Sequence, residues 1–332
     1  MPMKKFINAP ENLTAELLEG FALAHRQKIT LQGKTVLRAV PKSADKVALV
    51  TLGGAGHEPA LSGFVGPGML DASVVGDIFA APGAPAVLAA LQATARQAGT
   101  LLVILNHAGD VMAGDMAFDM ATQQGVNVQK ILTHEDISAG RDAPLEHRRG
   151  LVGCIPLYKI AGAAAEAGRS LDEVAAIAAR FNENLRTLTV AVTAATHPAS
   201  GGAIGEIADD EMEVGMGQHG EGGGGVMKLA SADQTAQIML DKILDTMSVQ
   251  PGDKLLVMIN GSGATTLMEQ YILLRAVSQL LDAKGLVMAR SLVGEFLTVQ
   301  EMGGFQMCIA KLDDELIELF DASCDTPAWT VK

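Results

Sequence analysis

The chain has 332 residues, a hydrophobic fraction of 48% and a net charge of −13, with enough apolar residues for one or two packed domains. It has no Lys/Arg stripe that could neutralise phosphates, so we expect neither nucleic acid nor an anionic membrane surface as a partner. Because the three cysteines are widely spaced and neither a signal-peptide core nor a run of about 18 apolar residues occurs, we expect a cytoplasmic protein with reduced thiols.

Apolar strands alternate with helical patterns in the first half of the chain. The predicted elements are a strand at 47–52, a glycine-rich turn at 53–56, a helix at 85–98, a strand at 101–105, a helical pattern ending near 124 and a strand at 126–132. This alternation predicts a mostly parallel sheet, in which loops after the strands usually carry ligand-binding groups. His57 and Asp110 fall on such loops, and His107, three residues before Asp110, can line the same pocket.

The second half predicts a further α/β unit. Ser170 and Glu173 have the spacing of a capping box and start a helix to about 185, before a strand at 187–193. The Pro, Ser and Gly residues of 197–210 place a boundary near 190, which gives α/β domains of 1–190 and 191–332, each with a mostly parallel or mixed sheet flanked by helices. We then predict helices at 232–247 and 265–281 around a strand at 254–259, and two final strands within 306–320 that turn at Asp313-Asp314.

The segment EVGMGQHGEGGGG, residues 213–225, places His219 among seven glycines. If it forms a strand, Gly215, Gly217 and His219 share one face, and the missing side chains leave a groove beside the imidazole. The alternative is a flexible loop whose histidine meets solvent.

Two nucleotide-binding motifs fail on their context. The letters G-M-G-Q-H-G match a dinucleotide fingerprint, but an acidic stretch precedes them and more glycines follow, where a strand and a helix are required. Gly33-Lys34-Thr35 lacks the first glycine of a phosphate-binding loop, because Lys28 occupies its position. The stretch INGSGATT, 259–266, is either an anion site at a helix start or a tight turn between packed elements.

The chemistry of an exposed imidazole suggests a substrate class. A neutral imidazole nitrogen is a nucleophile towards carbonyl carbon, and the unperturbed pKa of about 6.5 leaves histidine mostly neutral near pH 7. Its addition to a ketone gives a hemiaminal. Such a bond would hold a small polyhydroxy ketone and exclude the corresponding polyol.

Motifs from KKFINAPENL to LFDASCDTPAW span nearly the whole chain, and GGAGHEP and MGQHGE are the most specific of them. With these motifs the chain resembles the dihydroxyacetone-binding subunit of dihydroxyacetone kinase. The resemblance implies that His219 binds the ketose as a hemiaminal and that His57 is the acid/base histidine. It also implies that Asp110 activates the substrate hydroxyl for phosphoryl transfer and that Gly54, Ala55 and Gly56 form the substrate loop.

The same resemblance implies a homodimer that binds a short-chain ketose, either dihydroxyacetone or a four-carbon ketose. It implies no cofactor or metal on this chain. ADP or ATP with Mg²⁺ is expected on a separate nucleotide-binding kinase subunit, and a phosphocarrier of the phosphotransferase system is a possible further partner.

The sequence also departs from the family pattern. The family usually has lysine at Leu105, tyrosine at His107, threonine at Ala108, and serine at Ala55 and Ala81. A lost hydrogen-bond partner in a polyol site costs about 1–3 kcal/mol, so substrate choice or catalytic power should differ.

Two other functions compete with that of a kinase subunit. The first is a non-catalytic ketose sensor that acts through a transcription regulator. Retention of His57 and Asp110 favours the kinase, whereas the lack of lysine at Leu105 favours the sensor. The second is a nucleotide-dependent oxidoreductase, which the failed fingerprint excludes.

Overall fold

Two six-stranded sheets organise the protein, for which a computed structural model describes residues 5–332. The strands of the first sheet are β1 (Ile29–Gln32), β2 (Thr35–Arg38), β3 (Ala48–Ala55), β4 (Ala72–Ile78), β5 (Thr100–Leu105) and β6 (Val128–Thr133). They lie in the order β1-β2-β4-β3-β5-β6. The run from β4 to β6 is parallel, as predicted, and β1 and β2 add an antiparallel edge.

The second sheet is mostly antiparallel. After β7 (Leu185–Thr193) come the short strands β8 (Ala195–Thr196) and β9 (Ala203–Ile204), followed by β10 (Glu211–Val214), β11 (Val226–Lys228), β12 (Lys254–Gly261), β13 (Val287–Gly294) and β14 (Gly303–Leu312). The strand order is β11-β10-β7-β14-β12-β13, and β8 pairs with β9 outside this sheet. A last small hairpin consists of β15 (Cys324–Asp325) and β16 (Thr330–Val331).

Eight α-helices are present in residues 5–332 and pack on these sheets: α1 (Leu13–His25), α2 (Ala84–Ala93), α3 (Ala108–Gln123), α4 (Cys154–Glu166), α5 (Leu171–Glu183), α6 (Ala232–Asp245), α7 (Leu267–Ala283) and α8 (Asp314–Asp321). Helices α2 and α3 bury their apolar residues against the outer face of the first sheet, and α6 and α7 cover the outer face of the second. Helices α4, α5 and α8 lie in the largest core, which contains side chains of both sheets. The α/β class and the flanking helices predicted from the sequence are therefore confirmed.

The predicted final hairpin is wrong. Strand β14 ends at Leu312, and the next residues form α8, whose first free backbone N–H groups are capped by Asp313. The Asp313 side chain accepts a hydrogen bond from the N–H of Leu316. Leu316 and Phe320 are four residues apart and both buried, so the apolar residues of this segment follow the spacing of a helix.

Other boundaries differ in detail. The predicted domain boundary near residue 190 lies inside β7, which pairs with β10 and β14 of the second sheet. The division into two domains stays a prediction. Strand β3 continues through Gly53 and Gly54 to Ala55, where we predicted a turn.

Of the two interpretations of INGSGATT, an anion site or a tight turn, the structure supports the tight turn. Thr266 and Glu269 form a capping box that satisfies the first backbone N–H groups of α7. The backbone of Gly263 passes so close to Gln300 that a side chain there would overlap it.

Cys154, Cys308 and Cys324 are buried free thiols. No helix within residues 5–332 combines the length and the apolar character that crossing a membrane requires.

Candidate active site

A cavity of about 290 Å³ lies at the ends of β3, β4 and β5, against the loop that follows β10. It contains four of the residues predicted from the sequence, together with several that were not. Its lining residues are Gly54, Phe79, Ala80, Ala81, His107, Ala108, Gly109, Asp110, His219 and Glu221. The carboxyl ends of parallel strands thus meet the glycine-rich segment, as expected for a ligand site in an α/β protein.

The glycine-rich segment is a folded loop, and the strand interpretation holds only to Val214. Gly215 has a φ of +90°, a left-handed value that few other residues adopt, and His219 lies in a turn. A side chain at Gly215 would overlap the returning backbone at Gly224. The glycines therefore allow two stretches of backbone to pass each other, and they do not clear a face beside His219.

Arg149 holds this loop in place. Its guanidinium donates to the backbone oxygens of Gly215 at 2.7 Å and Glu221 at 3.2 Å. A side chain at Gly217 would overlap both Arg149 and Glu221. The ion pair between Arg149 Nε and Asp136, at 2.6 Å, fixes the guanidinium from the other side. Arg149 belongs to the motif HRRGLVG, but nothing local in that motif predicts its contact with a loop more than sixty residues away.

His219 lies between a carboxylate and a second imidazole. Its Nδ1 donates to Glu221 Oε1 at 3.1 Å, and its Nε2 is 3.2 Å from Nε2 of His57. Burial acts to raise the pKa of Glu221, but the hydrogen bond and charge of His219 lower it overall, so the carboxylate is ionised. Sequence reasoning missed Glu221, although its position two residues after the histidine in MGQHGE was a usable signal.

His57, just after β3, is bonded to the segment between β13 and β14. Its Nδ1 donates to the carbonyl oxygen of Thr298 at 2.8 Å, and the Thr298 N–H donates to the His57 carbonyl oxygen at 3.1 Å. Burial and the neighbouring His219 lower the pKa of His57 to about 3. The imidazole is therefore neutral near pH 7.

The hydrogen bonds fix the tautomers of this pair. Nδ1 of His57 faces a carbonyl oxygen and Nδ1 of His219 faces a carboxylate, so both Nδ1 atoms carry a hydrogen. Each Nε2 then offers a lone pair, and a hydrogen bond between the two Nε2 atoms requires one additional shared proton.

His107 is a second imidazole beside His219, with 5.0 Å between the ring centroids. Its Nε2 lies 2.8 Å from the Gly150 carbonyl oxygen and 2.9 Å from the Gln218 amide. Since a carbonyl oxygen only accepts, Nε2 carries the hydrogen. Burial and the adjacent His219 lower the pKa of His107 to about 4.

Asp110 lies in the first turn of α3 and lines the cavity. It is 8% exposed, and its Oδ1 has no hydrogen-bond partner among residues 5–332. Burial raises the pKa of Asp110 to about 7, and the charge of His219 opposes this shift. Asp110 is thus poised to exchange a proton near neutral pH.

The Phe79 ring packs against His57 and His219. Its ring centroid is 4.9 Å from that of His57 and 5.8 Å from that of His219. Its φ of +56° is rare for a bulky residue and marks backbone strain of the kind that clusters at functional sites. The sequence offers no signal for this conformation.

The remaining predicted residues lie beside the cavity. Ala55 and Leu105 are buried in the core between the sheets, and neither contributes to the cavity lining in the described chain. Gly56 has a φ of +103°, and its carbonyl oxygen accepts from the Gln300 amide at 3.0 Å. The substrate contacts of these three residues stay predictions.

A larger apolar cavity of about 610 Å³ lies between α1 and the segment from Gly53 to Gly63. It shares Gly54 with the smaller cavity, and none of its lining residues is a histidine. The smaller cavity is lined by two imidazoles and two carboxyl groups, which favours it as the candidate active site.

Comparison with known proteins identifies the family. A model of the Dak1 domain matches residues 19–328, so the chain belongs to the Dak1 family. The dihydroxyacetone-binding subunit DhaK of PTS-dependent dihydroxyacetone kinase 1 from Listeria innocua is 37% identical, over 98% of this chain and 100% of the relative. The resemblance read from the sequence is thereby confirmed.

Two solved structures have the same fold. The dihydroxyacetone kinase operon co-activator Dha-DhaQ superposes with a TM-score of 0.90 at 29% identity, over 95% of this chain and 98% of the co-activator. The dihydroxyacetone kinase from C. freundii in complex with AMP-PNP and Mg²⁺ gives a TM-score of 0.88 at 30% identity. That match covers 99% of this chain and 61% of the kinase chain.

Proposed function

We propose that this chain is the substrate-binding subunit of a dihydroxyacetone-type ketose kinase. It would hold a short-chain ketose covalently on His219 while a partner subunit supplies the phosphoryl group. The observation that carries the proposal is the contact of 3.2 Å between Nε2 of His219 and Nε2 of His57. The Listeria relative and the nucleotide-bound kinase structure support the same class of reaction.

The tautomers at the site leave Nε2 of His219 free for the first step. Nε2 of His219 attacks the ketone carbon, and the π electrons of the carbonyl move to its oxygen. A proton from solvent, accepted on the free Nε2 of His57 and passed on to that oxygen, converts it to the hydroxyl of the hemiaminal. The positive charge stays on the alkylated imidazole of His219, where the Glu221 carboxylate balances it.

Asp110 serves the second step. A primary hydroxyl is a poor nucleophile until its proton has an acceptor, and a positioned carboxylate contributes about 10²–10⁴-fold to such a rate. The unpartnered Oδ1 of Asp110 is available for that proton. The oxygen then attacks the terminal phosphorus of the nucleotide, and the nucleoside diphosphate leaves.

The finer assignments follow from the same proposal. The cavity of about 290 Å³ suits a ligand of the size of dihydroxyacetone or a four-carbon ketose. ATP, or ADP that a phosphotransferase-system phosphocarrier rephosphorylates, would bind with Mg²⁺ on a separate kinase subunit. We place the complex in the cytoplasm.

The proposed homodimer requires a self-complementary surface. Val226, Met227 and Leu229 are exposed on and beside the edge strand β11. An exposed edge with apolar side chains is a usual site of pairing with a second copy. Light scattering should give twice the monomer mass, and Met227→Lys should shift the chain towards monomer. A wild-type monomer at high concentration would refute the dimer.

Mass spectrometry tests the covalent step. After incubation with dihydroxyacetone or erythrulose, the intact chain should gain the mass of the whole sugar. His219→Ala should abolish the gain, and the control His147→Ala, at an exposed residue outside the cavity, should keep it. Equal adducts on the wild type and His219→Ala would refute the assignment.

A second function is favoured by one observation. The structural match to the operon co-activator is as close as the match to the kinase, so a ketose sensor that acts through a transcription regulator is the alternative. Reconstitution with nucleotide-binding subunits distinguishes them. Ketose-dependent consumption of ATP supports the kinase, whereas adduct formation without turnover supports the sensor.

A further inference from the structure

Three side chains at the rim of the cavity form a cluster of metal-ligand type. One donor atom from each of His107, His219 and Glu221 lies within 4.8 Å of the other two. His57 adds a third imidazole, with its Nε2 at 3.2 Å from Nε2 of His219. The hemiaminal step uses His219, His57 and Glu221 but assigns no role to His107.

The donor set matches a particular class of ion. Imidazole nitrogens suit zinc and neighbouring transition metals, and zinc commonly takes two or three histidines with one carboxylate. His107 donates one ring N–H to the Gly150 carbonyl oxygen. Metal-binding histidines usually make this kind of bond with one nitrogen and use the other for the metal.

The charges around the cluster permit a cation. One positive side chain faces the cluster, since Arg149 Nη1 lies 3.9 Å from Glu221 Oε2. Its ion pair with Asp136 and its hydrogen bond to the Gly215 carbonyl oxygen offset that charge. Asp110, which lines the same cavity, adds a second acidic group.

We propose that His107, His219 and Glu221 form a Zn²⁺ site that competes with the ketose for His219. Zinc bonds of about 2.0–2.2 Å require the donors to move closer together than 4.8 Å. Because Nδ1 of His219 carries the hydrogen that it donates to Glu221, the ion would take the lone pair of Nε2, which the ketose also needs, and Glu221 would leave Nδ1 to bind the ion. The competition part rests on the proposed function, whereas metal binding itself does not.

A chelator-competition titration measures the metal site directly. The full chain is first dialysed against EDTA, and Zn²⁺ is then titrated in the presence of a chromophoric chelator. Glu221→Gln and His107→Phe should each weaken Zn²⁺ binding at least tenfold, and His147→Ala should bind Zn²⁺ as the wild type does. Circular dichroism checks that each variant is folded. If His107→Phe does not fold, Glu221→Gln still tests the site, because it preserves the size of the side chain.

Cobalt provides an independent readout. Co²⁺ in the wild type should give the intense visible absorption of a four-coordinate site, and this absorption should be lost in both cluster variants. Zn²⁺ binding of equal strength in the wild type and in both folded variants would overturn the proposal.

Adduct formation then tests the competition. Zn²⁺ should suppress the ketose adduct of the wild type, and EDTA should restore it. A full adduct on chain saturated with Zn²⁺ would overturn the competition. If Zn²⁺ binds with the expected variant pattern while no ketose ever forms an adduct, the metal site stands and the proposed function fails.

Discussion

Glu221 accepts two hydrogen bonds from His219, one from Nδ1 at 3.1 Å and one from the backbone N–H at 2.9 Å. The carboxylate therefore keeps the hydrogen of the imidazole on Nδ1 and leaves Nε2 as the nucleophile. An amide in its place would neither fix this tautomer nor balance the charge of the alkylated ring. In a Ser-His-Asp triad, the same exchange of an orienting carboxylate for an amide reduces turnover by about 10⁴-fold.

Glu221→Gln should consequently slow formation of the hemiaminal by at least tenfold while the chain stays folded. The rate is measured by mass spectrometry after rapid quenching. Glu206→Gln, at an exposed residue outside the cavity lining, is the matched control and should react like the wild type. An unchanged rate in Glu221→Gln would show that the carboxylate does not orient His219.

Asp110→Asn separates binding from phosphoryl transfer. The variant should keep the His219 adduct, because the hemiaminal step does not need this carboxylate, and should lose about 10²–10⁴-fold in turnover with the partner subunit. Adduct and turnover are measured on the same preparations. Loss of the adduct, or turnover equal to that of the wild type, would contradict the role of Asp110 as the base.

The pH dependence of turnover reports the same group. Because burial raises the pKa of Asp110 to about 7, the fraction of ionised carboxylate rises with pH through that value. Turnover of the reconstituted kinase should therefore fall as the pH decreases from about 8 to about 6. A flat profile across this range, at saturating ketose and nucleotide, would exclude a base with this pKa.

At the scale of elements, the ends of helices are set by side chains that the sequence places there. The capping box of Ser170 and Glu173 begins α5 as predicted, and equivalent boxes begin α6 and α7. Helix α8 begins with a single cap, in which the Asp313 side chain accepts from the Leu316 N–H at 2.8 Å. Such a cap contributes about 0.5–2 kcal/mol.

Asp313→Ala should therefore lower the free energy of unfolding by about 1 kcal/mol, as measured by urea denaturation. Asp313→Asn is the matched control, since asparagine keeps the cap but loses the ion pair with Arg180 at 3.1 Å. This exposed pair contributes little, so the asparagine variant should unfold close to the wild type. Equal destabilisation in both variants would assign the effect to the ion pair.

At the scale of the whole molecule, Glu135 lies where the two sheets meet. Its Oε1 accepts from the N–H groups of Leu151 and Gly153, and its backbone oxygen accepts from Thr187 in β7. Its Oε2 has no hydrogen-bond partner in residues 5–332. Burial raises the pKa of Glu135 from 4.5 to about 7, so ionising this group opposes folding.

The sign of this linkage predicts how stability depends on pH. Because the pKa of Glu135 is raised in the folded state, its contribution to the free energy of unfolding is fully present below about pH 4.5. This contribution is lost as the pH rises through about 7. Glu135→Gln cannot ionise. Relative to the wild type it should gain stability between pH 5 and pH 8, by up to about 3 kcal/mol, given about 1.36 kcal/mol for each pKa unit. Glu183→Gln, at an exposed residue, should show no such gain, and a constant difference between Glu135→Gln and wild type would contradict the prediction.

The sequence alone determined the α/β class, strands β3, β5 and β6 of the first sheet with helices α2 and α3, and the family. Hydrophobic period, capping pairs and glycine-rich motifs are local properties, so they can be read without the fold. The same locality explains the error at α8, since a short apolar run such as LIELF fits a strand or a helix until its buried residues are known. It also explains why the boundary predicted near residue 190 falls inside β7, because the sequence of a strand does not specify which strand it pairs with.

Only the tertiary structure decided how the site works. It brings His57 to His219 across 162 positions of sequence, and it ties His57 to Thr298, between β13 and β14, across 241. The sequence predicts that the glycines around His219 leave open space beside a ligand, but the fold fills that space with Arg149 and returning backbone. Proton sharing, burial and charge balance depend on distances between such segments, and a sequence pattern specifies the residues without specifying those distances.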